Sequence, residues 1–198
     1  GTGPDDPHED AEVSVGRART GIELSVRDEE GRVLPAEQVG EVCLRSAAVM
    51  VGYHRDPDAT RSAFTTDGAV RTGDLGWVDD RDRLRLVGRT KEMYVRGGYN
   101  VYPMEVEGVL AEHPGVAEVA IVPRPDAVMG EIGVAVVVPS SSGRGPALDD
   151  LRSFAAPRLA AYKLPEGVEV VGALPRTPME KVDRSALQQT LAERDQLR

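Results

Sequence analysis

The sequence is poor in several residue types, and each shortage excludes a class of protein. Cys43 is the single cysteine among 198 residues, which excludes an internal disulfide framework and favours a reducing compartment. The longest apolar run, which contains residues 133–139, is far too short to cross a bilayer. Basic residues number 24 against 33 acidic ones, and this net charge of −9 argues against non-specific nucleic-acid binding. We therefore expect a cytoplasmic globular protein with no integral membrane segment and no nucleic-acid partner; its polar start carries no secretory leader pattern.

The sequence also lacks the common signatures of metal and nucleophile sites. His8, His54 and His113 lie far apart and do not have the spacing of metal ligands. No Gly-x-Ser-x-Gly element marks a serine nucleophile, and no Gly-x-x-x-x-Gly-Lys-Ser/Thr element marks a phosphate loop. The sequence therefore predicts no protein-bound metal.

Lysine is scarce, and its few positions stand out. The chain has three lysines, Lys91, Lys163 and Lys181, against 21 arginines (24 − 3). Arginine is planar, bulkier and permanently charged, so a site that needs a compact ammonium group resists replacement of lysine by arginine. Each of the three lysines is thus a candidate for function, with a solvated surface lysine as the alternative.

The first half of the chain is predicted to be nearly all β. Ile22, Leu24 and Val26 alternate with polar residues, which is the period of a strand. Asp56 and Pro57 predict the start of a short helix, with aspartate as the cap and proline in the first turn. A possible return strand at residues 33–34 and further strands at residues 41–45, 70–72 and 84–87 complete this half.

The second half has an α+β pattern. Pro103 begins a predicted helix that ends at residue 113, and Asp183 caps a final helix. Between them we expect strands at residues 116–122, 132–138 and 168–171, and a helix at residues 148–159 that is kinked by Pro157. The fold class is α+β: a strand-rich part at residues 1–90, then a small domain at residues 91–198 with helices packed on a small sheet.

Two segments near the boundary can contact a nucleotide. Gly73 permits a tight turn, and Asp74 after it can accept two hydrogen bonds from a vicinal diol such as a ribose. Arg89, which follows a predicted strand, can hydrogen-bond a ribose or a phosphate. The alternatives are a turn aspartate and a surface arginine.

Two further segments lie in the second half. Gly97 and Gly98 stand beside a helix start and permit close approach of a ligand to the backbone, although paired glycines are often only a loop. Lys181 ends a segment that Pro175 and Pro178 keep out of regular structure. From there its ammonium group can reach a phosphate or a carboxylate as a point charge.

Taken in order, these segments resemble the C-terminal part of the adenylate-forming superfamily, which includes acyl-CoA and aryl-CoA synthetases, amino-acid adenylation domains and luciferases. The resemblance extends over residues 13–190. The segments that carry it are residues 40–42 with 51–53, 56–60, 71–75, 88–92, 97–107, 162–165 and 175–181.

The resemblance implies a reaction in two steps that uses ATP, with Mg²⁺ carried by the nucleotide, and CoA. A carboxylic acid attacks the α-phosphate of ATP to give an acyl-adenylate, and a thiol then displaces AMP. It also implies that Asp74 and Arg89 hold the ribose, Lys91 lies at the hinge before a mobile C-terminal domain, and Lys181 is catalytic in the first step. Gly97 and Gly98 then line the passage of the CoA pantetheine arm.

The chain departs from the family pattern at one residue and lacks a large part of it. Glu180 stands where the family usually has glycine, directly before the catalytic lysine. The phosphate loop and the acid pocket are expected upstream, so residues 1–90 are interpreted as the C-terminal remnant of the large AMP-binding domain. The missing N-terminal domain is then the partner of this chain, and the chain alone is expected to be inactive.

Three functions remain open from the sequence. Residues 98–103 resemble the Gly-x-Asn-Val-Tyr-Pro segment of CoA ligases, which favours the C-terminal portion of an acyl-CoA synthetase. An amino-acid adenylation domain that loads a carrier protein is the second hypothesis. The third is a non-catalytic binding module that stands alone.

Overall fold

In this computed structural model, residues 1, 2, 7, 14–140 and 145–196 are described. The chain divides into two compact units, Gly1–Lys91 and Glu92–Arg198. Both units combine strands with helices, and the predicted α+β fold class is confirmed.

Unit 1 contains an antiparallel sheet of four strands in the order β1-β2-β3-β4. A short helix, α1, precedes β3, and Asp56 caps it by accepting a hydrogen bond from the Ala59 amide at 2.9 Å, as predicted. The elements are β1 Ile22–Arg27, β2 Gly40–Ser46, α1 Pro57–Ser62, β3 Val70–Val78 and β4 Leu84–Arg89.

Two sequence expectations for unit 1 are wrong. The return strand at residues 33–34 is only an isolated bridge between Arg27 and Val33. Strand β3 is nine residues long and continues through Gly73 and Asp74, which we expected to form a turn. These two residue types are rare in strands, and here they form an irregularity within β3: the β2–β3 register shifts opposite them, Gly73 has φ +74°, and Asp74 pairs with Arg89 of β4.

Unit 2 contains a sheet of five strands in the order β6-β5-β8-β7, with β9 parallel to β8. The elements are β5 Tyr94–Arg96, β6 Tyr99–Val101, α2 Pro103–Leu110, β7 Val116–Asp126, β8 Gly130–Pro139, α3 Leu148–Ala155, a 3-10 turn Ala161–Lys163, β9 Gly167–Val170 and α4 Arg184–Gln196.

The long β7–β8 ribbon is covered by apolar residues on both faces. Ala135 and Val137 of β8 pack with residues of α2 and α3, whereas Val134 and Val136 pack with Leu187 and other residues of α4. A strand that is buried on both faces has a continuous apolar run instead of an alternating one. The run at residues 133–139 is therefore the centre of a three-layer domain.

The helices of unit 2 end earlier than expected. α2 ends at Leu110 instead of residue 113, and α3 ends at Ala155, so Pro157 lies beyond the helix and does not kink it. Ala156 keeps helical backbone angles, but Pro157 has no amide hydrogen to donate to the Ser153 carbonyl, which explains why α3 does not continue through Pro157. Asp183 caps α4 as predicted, because its carboxylate accepts from the Ala186 amide at 3.0 Å.

Candidate functional site

The structure brings Asp74 and Arg89 together. They are direct partners in the antiparallel ladder of β3 and β4, and the Arg89 Nε donates to the Asp74 Oδ1 at 2.9 Å. Both side chains reach solvent, with exposed fractions of 32% for Asp74 and 53% for Arg89. Among the described residues, the second carboxylate oxygen of Asp74 has no partner, so it can accept a hydrogen bond from a ligand.

Local bonds fix the backbone around Asp74. Gly73 has φ +74°, and its amide donates to the Glu41 Oε1 at 3.3 Å. The Thr72 hydroxyl donates to the Val42 carbonyl at 2.8 Å and accepts from the Asp74 amide at 3.1 Å. Asp74 is therefore held by the sheet and by its neighbours, with a free oxygen at the surface.

The three lysines have different surroundings. Lys163 is largely buried, and its ammonium group donates to both oxygens of Glu105 at 2.6 and 2.7 Å. Lys91 and Lys181 are exposed, and neither forms an ion pair with any residue that the structure describes. Of the three candidates, Lys163 is thus engaged within the protein, while Lys91 and Lys181 present their ammonium groups to solvent.

Lys181 follows a tight hairpin turn. The Glu180 amide donates to the Thr177 carbonyl at 2.9 Å, and the Thr177 amide donates to the Lys181 carbonyl at 2.7 Å. An isolated bridge between Arg176 and Val182 closes the hairpin below these bonds. As expected from its prolines, the segment lies outside the helices and strands, and it forms a tight hairpin with Lys181 on its returning arm.

Gly97 and Gly98 form the two-residue turn between β5 and β6. Their φ angles are +54° and +86°, which is the pattern of a type I′ turn and explains both glycines without a ligand. The Gly97 amide donates to the Met129 carbonyl at 2.8 Å, so the turn abuts the β7–β8 connection. Arg96, just before the turn, is bonded to Glu166, which raises the pKa of this guanidinium.

The Lys181 hairpin and the Gly97–Gly98 turn lie toward opposite ends of the β7–β8 ribbon. Arg176 of the hairpin forms an ion pair with Glu118 near the start of β7. At the other end of this strand, Asp126 pairs with Gly130, which also pairs with Arg96. The eight residue steps from Glu118 to Asp126 correspond to about 26 Å of extended strand. The points at which the two segments are anchored on the ribbon are thus much farther apart than the width of a small group such as a phosphate.

Sequence reasoning missed Arg184, the first residue of α4. Its guanidinium bonds to both oxygens of Glu107 at 2.6 and 2.9 Å, to Glu92 at 3.1 Å and to the Ile121 carbonyl at 3.1 Å. Burial alone lowers the pKa of Arg184, but the two carboxylates raise it above its usual value. This cluster ties Glu92, which directly follows Lys91, to the body of unit 2.

No cluster of three or more histidine, cysteine, aspartate or glutamate side chains in the described ranges is arranged to hold a metal ion. No helix in the same ranges is both long and apolar enough to span a membrane.

Two family models match the chain. The model described as the AMP-binding enzyme C-terminal domain matches residues 105–181, and the model described as AMP-binding enzyme matches residues 2–54. The first contains Lys181, but neither reaches Asp74, Arg89 or the Gly97–Gly98 turn.

Similar proteins are ligases. Sulfoacetate–CoA ligase of Cupriavidus necator is 41% identical over 186 residues, which are 93% of this chain and 36% of the relative. A fatty acid–acyl-carrier-protein ligase of Streptomyces coeruleorubidus is 42% identical over 174 residues, which are 88% of this chain and 33% of the relative. ATP-bound MatB from Rhodopseudomonas palustris has a TM-score of 0.83 and 36% identity, with coverage of 89% of this chain and 35% of that one. The chain thus spans about a third of the length of the curated relatives it matches.

Proposed function

We propose a function that starts from the family: the chain belongs to the adenylate-forming superfamily of AMP-binding enzymes. In this proposal the chain is the C-terminal portion of an acyl-CoA synthetase, and the whole protein carries out the reaction. A carboxylate oxygen attacks the α-phosphorus of ATP and pyrophosphate leaves. The sulfur of CoA then attacks the acyl carbon and AMP leaves.

Lys181 is the catalytic residue of the first step. The observation that carries this assignment is its ammonium group, which is exposed and forms no ion pair among the described residues, at the end of a hairpin whose bonds fix its backbone. Negative charge develops on the α-phosphoryl group as the carboxylate attacks. A positioned ammonium that is already free of carboxylates stabilises this charge without first breaking an ion pair.

Asp74 and Arg89 hold the ribose of the nucleotide. The free oxygen of Asp74 accepts from one ribose hydroxyl, and the Arg89 guanidinium orients the carboxylate by its hydrogen bond. Lys91 lies at the hinge, directly before the first residue of unit 2. ATP brings its Mg²⁺ with its phosphates.

Gly97 and Gly98 serve the second step, in which the pantetheine arm of CoA reaches the adenylate. The distance of about 26 Å along β7 between the points that anchor them supports a division of labour, in which Lys181 and the glycine turn meet the adenylate in different placements of unit 2. The two half-reactions therefore require two placements of this unit.

A carrier protein is the second candidate for the thiol. The similarity to a Streptomyces fatty acid–acyl-carrier-protein ligase favours it, whereas the sequence of residues 98–103 favours CoA. Either acceptor presents the same pantetheine thiol, so Lys181 and the glycine turn keep their roles. The chain alone is proposed to be inactive in both cases.

The test separates the two half-reactions in the full-length protein. We expect Lys181→Ala to lower acyl-adenylate formation, measured as acid-dependent pyrophosphate release, by about a thousandfold or more. Conversion of a preformed acyl-adenylate by CoA should stay near the normal rate. Lys181→Arg should fail in the first step too, because a planar guanidinium does not replace a compact ammonium. Equal losses in both steps, or full activity of either variant, would overturn the assignment.

A further inference from the structure

We propose that Arg176 and Glu118 are positioning residues for Lys181. They hold the residue before the lysine, Glu180, in a left-handed backbone conformation that a glycine at this position would adopt without support. The proposal rests on the proposed catalytic role of Lys181. It assigns the orientation of the Lys181 backbone to a pair of charged side chains, one on the hairpin and one on β7.

The backbone of Glu180 has a left-handed conformation. Residues 177–181 have the bonds of a three-residue hairpin turn in which a type I turn is followed by a residue in the left-handed region. Glu180 occupies that position with φ +60°. Glycine is the usual residue there because a side chain makes this conformation unfavourable.

A glutamate in this position needs an external constraint, and Arg176 provides one. Its Nη1 donates to the Glu180 carbonyl at 3.0 Å, and its Nη2 forms an ion pair with the Glu118 carboxylate. The guanidinium is a rigid fork, so it fixes the carbonyl of Glu180 relative to the carboxylate of Glu118. The peptide between Glu180 and Lys181 is thus held from outside the turn.

Glu118 connects this arrangement to the sheet. It lies in β7 and pairs with Val138 of β8, within the most extensively paired ribbon of unit 2. Without the contacts of Arg176 to the Glu118 carboxylate and the Glu180 carbonyl, Glu180 can relax toward negative φ. The side chain of Lys181, the next residue, then points in a different direction. A displacement of about 1 Å in a catalytic group can lower a rate by roughly a hundredfold.

The experiment compares single and double variants of the full-length protein. Arg176→Ala is expected to lower acyl-adenylate formation by about 10- to 100-fold through the turnover number. Conversion of preformed acyl-adenylate by CoA should change less than about threefold. Arg176→Ala combined with Glu180→Gly should recover to within about fivefold of the Glu180→Gly variant, because glycine adopts the left-handed conformation without the clamp.

Arg158→Ala is the matched control. Arg158 forms an ion pair with Glu112 in the same unit, and its exposed fraction of 37% is close to the 40% of Arg176. This pair is remote from Lys181 in sequence and has no bond to the hairpin. Its loss should leave both half-reactions unchanged.

Two results would overturn the positioning role: an Arg176→Ala variant that behaves like Arg158→Ala, or a loss that Glu180→Gly does not recover. If Arg176→Ala does not fold, as judged by its thermal unfolding, Glu118→Gln is compared with Glu112→Gln by the same criteria.

The proposed function is tested separately by Lys181→Ala. An adenylation step that survives Lys181→Ala contradicts the proposed function, whereas one that is lost there but retained in Arg176→Ala contradicts the positioning role alone.

Discussion

The Asp74–Arg89 pair of unit 1 and the Lys181 hairpin of unit 2 are built in different ways. Asp74 and Arg89 are facing residues of neighbouring strands, so the register of β3 and β4 brings them together. Lys181 follows a three-residue turn whose left-handed residue is held by side chains. The first arrangement is set by the sheet itself, and the second depends on Arg176 and Glu118.

The difference predicts where each site is sensitive. The strand pair should respond to changes in its own carboxylate and guanidinium and tolerate changes nearby. The hairpin should respond to residues that never contact a ligand. The three predictions that follow test this contrast, from the largest expected effect to the smallest.

The largest effect is expected at Asp74. Asp74→Ala in the full-length protein should weaken nucleotide binding by about 2–4 kcal/mol, because a charged acceptor of ribose hydrogen bonds is lost. The measurement is the ATP dependence of pyrophosphate release, with direct titration of AMP. Asp80→Ala, which removes an exposed acid of the same unit, is the control. Unchanged ATP dependence of Asp74→Ala would show that this carboxylate has no nucleotide role.

A smaller effect is expected on stability, and it should differ between Lys163 and Lys181. Lys163→Ala should lower the free energy of unfolding of the 198-residue chain by about 1–2 kcal/mol, since Glu105 loses both bonds in a half-buried place. Lys181→Ala should change it by less than about 0.5 kcal/mol, because no ion pair of the described residues is lost. Urea unfolding of both variants measures the difference. Similar losses of stability would contradict the contrast between an engaged and a free lysine.

The smallest effects are expected on the free energy of unfolding, at two residues with left-handed backbone conformations, Gly73 and Glu180. A Cβ at Gly73 meets nothing within 4 Å, so Gly73→Ala should destabilise unit 1 by about 1 kcal/mol through its φ of +74° alone. Glu180→Gly relieves a similar strain but adds freedom to the unfolded chain, so its net effect should be within about 0.5 kcal/mol. Urea unfolding distinguishes the two variants. A clear loss of stability in Glu180→Gly would show that the Glu180 side chain itself stabilises the turn.

Local signals predicted the elements that begin with strong caps. Asp56 with Pro57, Pro103 and Asp183 each mark the true start of a helix, because a cap or a proline acts within one turn. The β5–β6 hairpin was not predicted. Its strands have three residues each, too few for an alternating pattern to be recognised.

Long-range pairing explains what the sequence could not predict at the site. The scarcity of lysine marks Lys163 as a candidate as well as Lys181, and Glu105, which engages Lys163, lies 58 positions away. Arg176 and Arg184 appear as two among many arginines, and their partners Glu118 and Glu107 are distant in sequence. The positive φ of Glu180 is also a property of the turn, although the absence of the family glycine did mark the position.

The β7–β8 ribbon also limits how the chain can change in length. Its residues alternate between two apolar layers, with Ala135 and Val137 on one side and Val134 and Val136 on the other. Inserting a single residue into each strand would exchange these layers, whereas inserting two would preserve them. The distance along the ribbon between the Lys181 hairpin and the Gly97–Gly98 turn can therefore change only in steps of two residues, or about 7 Å. A homologue with a longer ribbon would therefore hold these two segments farther apart by that whole increment.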